Sequence, residues 1–477
     1  MRTDSALRLL RQRRFGFFFW TQALGAFNDN VFKNAVVILI TFGLAGIGSD
    51  RANLYVNLAA GLFILPFFLF SATAGQIAEK HEKSRLIRGI KLLEIGIMAL
   101  AALALWLKSL PLLLAVLFLM GSQSALFGPV KYAILPQHLD EAELIGGNAW
   151  VEAATFLAIL IGTLVGGWLI AQHGGATWVA LVLMAVAILG YLAARGIPPA
   201  APTAPDLRIN WNPLTETVRN LGFLRTHRTV FLSVLGISWF WFFGALFLSQ
   251  LPHYTKLYLG GNETVVTLLL AVFSLGIGAG SLLCERLSGG QVEIGLVPLG
   301  SIGLTVFGID LFLAAPDLAV GPQLDAMAFL GQAANHRVLW DLGLMGLSGG
   351  LFIVPLYALV QTRAAPAHRS RVIAGNNILN ALFMVAAALI AIALLQAGLS
   401  IPQLFLVATL MNAAVAVFIY GLVPEFLMRF LVWMLINTLY RIRRQDLRHI
   451  PDNGPALIVC NHVSFVDALI LGGNIRR

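Results

Sequence analysis

The chain has 477 residues, of which 58% are hydrophobic and only 12% charged, whereas a soluble globule carries about a quarter of its residues as charges. An ordinary soluble globule is therefore excluded, and the sequence reads as an all-α integral membrane protein. The net charge of +9 does not point to nucleic acid, because Lys and Arg gather at the ends of apolar runs and form no stripe with interleaved aromatics. Two cysteines, Cys284 and Cys460, exclude a disulfide scaffold.

In chain order, Arg2, Arg8, Arg11, Arg13 and Arg14 come first. They have no apolar core of their own, so this is a basic flank and not a cleavable signal peptide. Apolar runs follow at about 15–46, 53–78, 89–107, 110–135, 147–172 and 176–194. Each suffices for a crossing helix, which needs about 20 apolar residues. A polar stretch, 195–228, carries Ile197-Pro198-Pro199 and Ala204-Pro205-Asp206 and the basic Arg225, His227 and Arg228. Six more runs lie at about 229–258, 264–284, 293–315, 342–362, 372–396 and 404–424. The reading is a twelve-span bundle of two six-helix halves, 1–194 and 229–424, joined by a central cytoplasmic loop at 195–228. The 46 glycines suit it, since small residues let helices approach where no hydrophobic effect holds them together.

Positive charge is retained on the cytoplasmic side of short loops. With the amino terminus inside, the loop after span two holds Lys80, Lys83, Arg85, Arg88 and Lys91, and the loop after span ten holds Arg363, Arg369 and Arg371. The opposite loops contribute Arg51, Lys108 and Arg337, and the turn at His173-Gly174 has none. Both ends of the twelve-span unit are thus expected in the cytoplasm.

Charges at membrane depth cost several kcal/mol unless paired or wetted, so Asp29, Lys33, Glu94, Lys131 and Glu152 are expected at the bundle interior or at helix ends. Asp29 and Lys33, four apart on one helical face, allow a local ion pair that only neutralises itself. Gly128-Pro129 is expected to break span four locally. The aromatic block 238–243 in span seven suits either an acyl chain or the lipid-facing belt. Asn376, Asn377 and Asn380 are explained by interhelical hydrogen bonding without any substrate.

The loop Gly75-Gln76-Ile77-Ala78-Glu79-Lys80-His81-Glu82-Lys83-Ser84-Arg85 resembles the gating loop of the major facilitator superfamily, with Glu79 where Asp is usual. The resemblance implies gating roles for Gly75, Glu79, Lys83 and Arg85; without it, the segment is a charged turn in which Gly75 serves packing. Four further segments are similar to the bacterial lysophospholipid transporter branch: Ala26-Phe27-Asn28-Asp29-Asn30, Phe127-Gly128-Pro129-Val130-Lys131-Tyr132, Gly147-Asn148-Ala149-Trp150-Val151-Glu152-Ala153 and Gly349-Gly350-Leu351-Phe352-Ile353-Val354-Pro355-Leu356. Span seven departs from that branch in having no embedded arginine. The resemblance implies a multi-pass protein of the bacterial inner membrane that moves lysophospholipids, lysophosphatidylethanolamine foremost, to the cytoplasmic leaflet by rocking of its halves. Asp29, Lys131 and Glu152 would offer a zwitterionic head group a carboxylate and a lysine, and Asn30, Tyr132 and Asn148 would add hydrogen bonds. No cofactor is expected for transport, no metal site is assigned, and no Gly-rich Walker loop is present for ATP. Whether Asp29 or Glu152 binds a coupling proton or sodium stays open.

After the spans, 425–450 reads as an amphipathic interfacial linker. Then 451–477 reads as the start of a cytoplasmic α/β domain, with a short strand at 456–460. Asn461-His462-Val463-Ser464-Phe465-Val466-Asp467 resembles the opening block of the glycerolipid acyltransferases. The resemblance implies His462 as base and Asp467 as its orienting partner, with acyl carrier protein or a coenzyme A thioester as acyl donor. Only ten residues follow Asp467, so the domain is expected to be truncated and inactive as it stands. Two other readings remain: an exporter of drugs or metabolites, and an acyltransferase with a multi-span anchor.

Overall fold

The computed structural model describes residues 5–43, 49–288, 296–319, 322–422 and 424–440, and in the tail 457, 459–461, 463–464 and 466–472. Among the described residues, twelve helices are long and apolar enough to cross a membrane. We number them as spans: one Arg13–Ile38, two Ser49–Lys80, three Lys83–Leu107, four Leu110–Ala133, five Leu144–Ile170, six Gly175–Arg195, seven Arg228–Leu257, eight Glu263–Ser288, nine Leu296–Leu313, ten His336–Arg363, eleven Arg369–Gln396 and twelve Ile401–Leu422. The protein is therefore an all-helical, multi-pass membrane protein, as the apolar runs predict.

Helix ends follow local chemistry. The Glu82 carboxylate accepts from the backbone N–H of Ser84 and Arg85 and so caps span three, satisfying donors that the first turn leaves without partners. Lys108 closes the same helix with a left-handed φ of 49°. Spans eight and ten meet backbone to backbone: a side chain on Gly280 would run into the Leu347 carbonyl, and one on Gly346 into that of Phe273. Glycine is what makes this approach possible.

One buried apolar cluster is confined to the first half, among spans one to six, and a larger one runs through the second half and across to spans one, four and five. Several expectations are corrected. Lys91 is not a loop residue: it lies two turns into span three, 1% exposed. Pro129 sits within an unbroken span four; the helix closes only four residues later, and Gly128 instead makes room for the Asn377 amide. Trp239, Phe240, Phe242 and Phe243 are buried, so the span-seven block is interior packing and not a belt. The stretch 195–228 contains a helix, Pro213–Arg225, capped by Asn212.

The linker after span twelve begins as the helix Pro424–Leu439, with Met428, Leu431, Met434 and Leu439 exposed. In the expected strand 456–460, the described residues Leu457, Val459 and Cys460 carry no strand assignment. The Asp467 carboxylate accepts from the backbone N–H of Val463 (2.7 Å) and Ser464 (2.8 Å) at the start of the helix Asp467–Gly472. His462 and 441–456 lie outside the described residues.

Candidate functional site

The two halves meet in two layers at the basic end of the bundle. In the outer layer, Arg371 of span eleven donates from Nε to the Glu79 carboxylate of span two at 2.7 Å and from its backbone N–H at 3.2 Å. Both side chains are removed from solvent, Arg371 at 3% and Glu79 at 0%. Gly75 explains the proximity, since a Cβ there would lie 2.8 Å from Ala374 Cβ and 3.0 Å from Arg371 Cα. Lys83 is buried nearby, whereas Arg85 projects outward and reaches only Glu82, at 3.9 Å.

The polar connection between the halves is tied to this layer. Thr203 and Ala204 donate backbone N–H groups to the Glu79 carbonyl, each at 3.0 Å, and Ala200 N–H donates to Glu82 at 2.7 Å. Burial pushes the Glu82 carboxyl up, but the hydrogen bonds from Ala200, Ser84 and Arg85 outweigh it and hold the pKa below the ordinary value. On the connecting helix, Phe223 stacks on His368 at 4.5 Å and lies 4.6 Å beneath the Arg371 guanidinium. Glu216, two turns earlier on the same face of that helix, has its carboxyl pKa raised by burial, with Arg219 and Arg371 acting against the shift.

In the inner layer the contacts that cross between the halves join uncharged groups. Asn148 of span five and Gln361 of span ten exchange amide hydrogen bonds, Nδ2 to Oε1 at 2.7 Å and Nε2 to Oδ1 at 3.0 Å, and both are fully buried. Tyr132 of span four stacks on Tyr357 of span ten, centroids 4.3 Å apart, and donates to Glu152 Oε1 at 2.6 Å. Phe156 packs against Phe240 and Trp241 of span seven. Lys131 donates to the Thr155 hydroxyl at 3.1 Å, which in turn donates to Gln22 at 3.2 Å.

Asp29 stands apart from that seam. Along span one, Gln22, Ala26, Asp29 and Lys33 recur at helical spacing on one face. Asp29 and Lys33 are both half-buried. Ser124 of span four donates to Asp29 at 2.8 Å, and the Lys33 ammonium sits 4.4 Å over the Phe63 ring of span two. The expected Asp29–Lys33 ion pair is not closed: among the described residues neither side chain has an opposite charge within 4.0 Å. Asn30 turns away from Asp29, donating to the Ala26 carbonyl at 2.7 Å beside Gly162 of span five. The proposed head-group residues thus fall at separate levels, with Tyr132, Asn148 and Glu152 in the closed layer and Asp29 above it.

A further polar knot sits inside the first half. Lys91 and Glu94, 1% and 2% exposed, pair at 2.6 Å, and Asn28 and Gln123 donate to the same carboxylate at 3.3 Å and 3.2 Å. This is a satisfied buried pair that cross-braces spans one, three and four. Sequence reasoning missed Gln22, Ser124, Thr155, Tyr357 and Gln361; the signal was available for Gln22 and Gln361, single amides in otherwise apolar helical runs. Among the described residues, no group of three or more His, Cys, Asp and Glu is gathered as a metal site.

Two six-helix halves that close at one end, with charged groups held at membrane depth above the closure, define a membrane transporter. The chain belongs to the Major Facilitator Superfamily, whose sequence profile matches residues 18–335. It is similar to the lysophospholipid transporter LplT of Serratia proteamaculans (strain 568), 28% identical over 363 residues covering 75% of this chain and 81% of the relative. The LplT protein of Escherichia coli O157:H7 is 28% identical over 369 residues with the same coverages. Among solved structures, a variant of the Escherichia coli fucose:proton symporter FucP aligns with a TM-score of 0.65 at 13% identity, covering 85% of this chain and 98% of that one. A bacterial homologue of the iron transporter ferroportin, in an outward-facing state, aligns at 0.58 and 16% identity, covering 86% and 100%. These two show the fold alone.

Proposed function

We propose that this transporter moves lysophospholipids across a bacterial inner membrane, with its basic end in the cytoplasm, and delivers them to the cytoplasmic leaflet. The observation that carries the reading is the likeness to proteins named lysophospholipid transporters over three quarters of the chain. The inner face supports it, because a zwitterionic phosphoethanolamine needs a carboxylate and a lysine, and Asp29 and Lys131 supply both on spans one and four. A head group bound at Asp29 from outside would descend to Lys131 and Glu152 as the basic end opens and the far end closes. Lysophosphatidylethanolamine is the substrate we favour. Reacylation by a domain opening at residue 451 would follow, with acyl carrier protein or coenzyme A as donor; the His462–Asp467 spacing is its support.

The test is uptake of labelled lysophosphatidylethanolamine by spheroplasts producing this chain, set beside Asp29→Ala and Lys131→Ala variants of equal abundance. Uptake that both substitutions abolish supports the reading. Normal production without uptake sinks it and leaves an exporter of other molecules as the better reading.

A further inference from the structure

The first half holds three lysines at membrane depth, and two of them are engaged. Lys91 is neutralised by Glu94 at 2.6 Å. Lys131 donates to Thr155 at 3.1 Å within the closed inner layer. Lys33 alone of the three has neither a hydrogen bond nor a carboxylate within 4.0 Å among the described residues; its ammonium sits 4.4 Å from the face of Phe63, and the opposite charge that acts on it is Asp29, one turn back on the same face. An ammonium brings three donors, and one that is half-buried in a bundle with no hydrogen bond and no closed ion pair leaves those donors free for a ligand.

Levels along the pathway sharpen the point. Gln22, bonded through Thr155 to Lys131, marks the closed layer. Asp29 is seven residues further along span one, about 10 Å beyond it, and Lys33 four more, about 6 Å beyond Asp29, at 1.5 Å per residue. Lys131 is therefore a full layer from Asp29 in this closed-at-the-basic-end arrangement, while Lys33 is the adjacent rung on the same face. An ammonium and a phosphodiester separated by a two-carbon ethanolamine bridge match adjacent rungs better than positions a layer apart.

We infer that Lys33 is the phosphate anchor of the outward-open stage: Asp29 takes the ammonium of a zwitterionic phosphoethanolamine, Lys33 its phosphate oxygens, and Lys131 receives the phosphate only when the seam parts. This rests on the lysophospholipid reading and adds a residue and an order of engagement to it. A charge-assisted contact to the ligand's phosphate is what this ammonium, free of hydrogen bonds and of a closed ion pair, is placed to make.

The experiment measures concentration-dependent uptake of lysophosphatidylethanolamine by the full chain, with monoacylglycerol (tail, no phosphate) and glycerophosphoethanolamine (head, no tail) as competitors. Lys33→Gln should raise the half-saturating concentration about tenfold or more and leave competition by monoacylglycerol unchanged. Weaker competition by glycerophosphoethanolamine against Lys33→Gln would place the loss at the head group. Lys33→Arg should restore the wild-type value. The double variant Asp29→Asn with Lys33→Gln separates binding from mere neutralisation: a self-neutralising pair regains function when both charges go, a head-group site does not. Wild-type saturation in Lys33→Gln, or recovery in the double variant, overturns the inference while wild-type uptake still upholds the lipid reading. Absence of uptake by the wild type overturns the lipid reading and the inference with it.

Discussion

Removing Arg371 tests the outer layer most directly. Its guanidinium and Glu79 are 3% and 0% exposed and 2.7 Å apart. Truncating one member of such a pair strands the other charge without solvent, a cost of about 3–5 kcal/mol. Only the state closed at the basic end bears that cost, because opening lets water reach Glu79. Taking the lower figure, Arg371→Ala should shift the balance toward opening by about 100-fold or more. Spin labels at the exposed positions Arg85 and Ala367, in protein reconstituted into nanodiscs, would report a longer distance population. A double Glu79→Gln, Arg371→Gln variant should shift less than the single truncation, since neither charge is stranded. An unchanged distance distribution in a folded Arg371→Ala protein would refute the claim that this pair holds the seam shut.

The inner layer should respond differently. Asn148→Ala leaves the Gln361 amide buried without partners and should cost the closed state about 1–3 kcal/mol, whereas Asn148→Leu combined with Gln361→Leu should cost less than the two single changes summed, as read in a double-mutant cycle on thermal stability. Glu82→Ala removes a helix cap and the tie to Ala200, about 1 kcal/mol at neutral pH. Because the folded-state carboxyl is held below the ordinary glutamate value of about 4.3, that stabilisation is present above this pH and is lost on acidification through the lower folded value. Wild-type and variant melting temperatures should therefore converge in acid; a gap that persists or widens there would contradict the assignment. Gly280→Ala, which drives a methyl into the Leu347 carbonyl, should destabilise by about 1–3 kcal/mol. Gly89→Ala, with nothing within 4 Å, should be neutral or stabilising.

The twelve spans were legible because membrane depth imposes length and apolarity on every crossing helix, and 20-residue runs separated by basic turns leave few alternatives. The outer contact between the halves was partly legible. Gly75 and Glu79 stood out as a small residue and a carboxylate at a helix end, but their partner Arg371 read only as a topology charge, since nothing in a linear pattern brings span eleven to span two. Lys91 was misplaced for a related reason: periodicity cannot tell a lysine ending a loop from one buried beside a carboxylate a turn further on. Asn148 looked like a ligand group, yet its amide is consumed by Gln361, 213 residues away. The connecting helix Pro213–Arg225 escaped notice behind flanking prolines, although Asn212-Pro213 is a cap followed by a favoured first-turn residue. Asp29 and Lys33 were recognised as one face, but the missing ion pair between them is a matter of rotamers, beyond what spacing encodes.

The uncharged character of the contacts that cross the inner layer has an electrical consequence. When the Asn148–Gln361 amides and the Tyr132–Tyr357 rings part, no net charge is separated between the halves by those contacts, and the Arg371–Glu79 pair lies near the basic end of the bundle. Moving a whole elementary charge through 100 mV is worth about 2.3 kcal/mol, and the zwitterionic cargo proposed above would carry no net charge to move. Parting such contacts is close to electroneutral, so the membrane potential of an energised cell would have little hold over that step of the exchange.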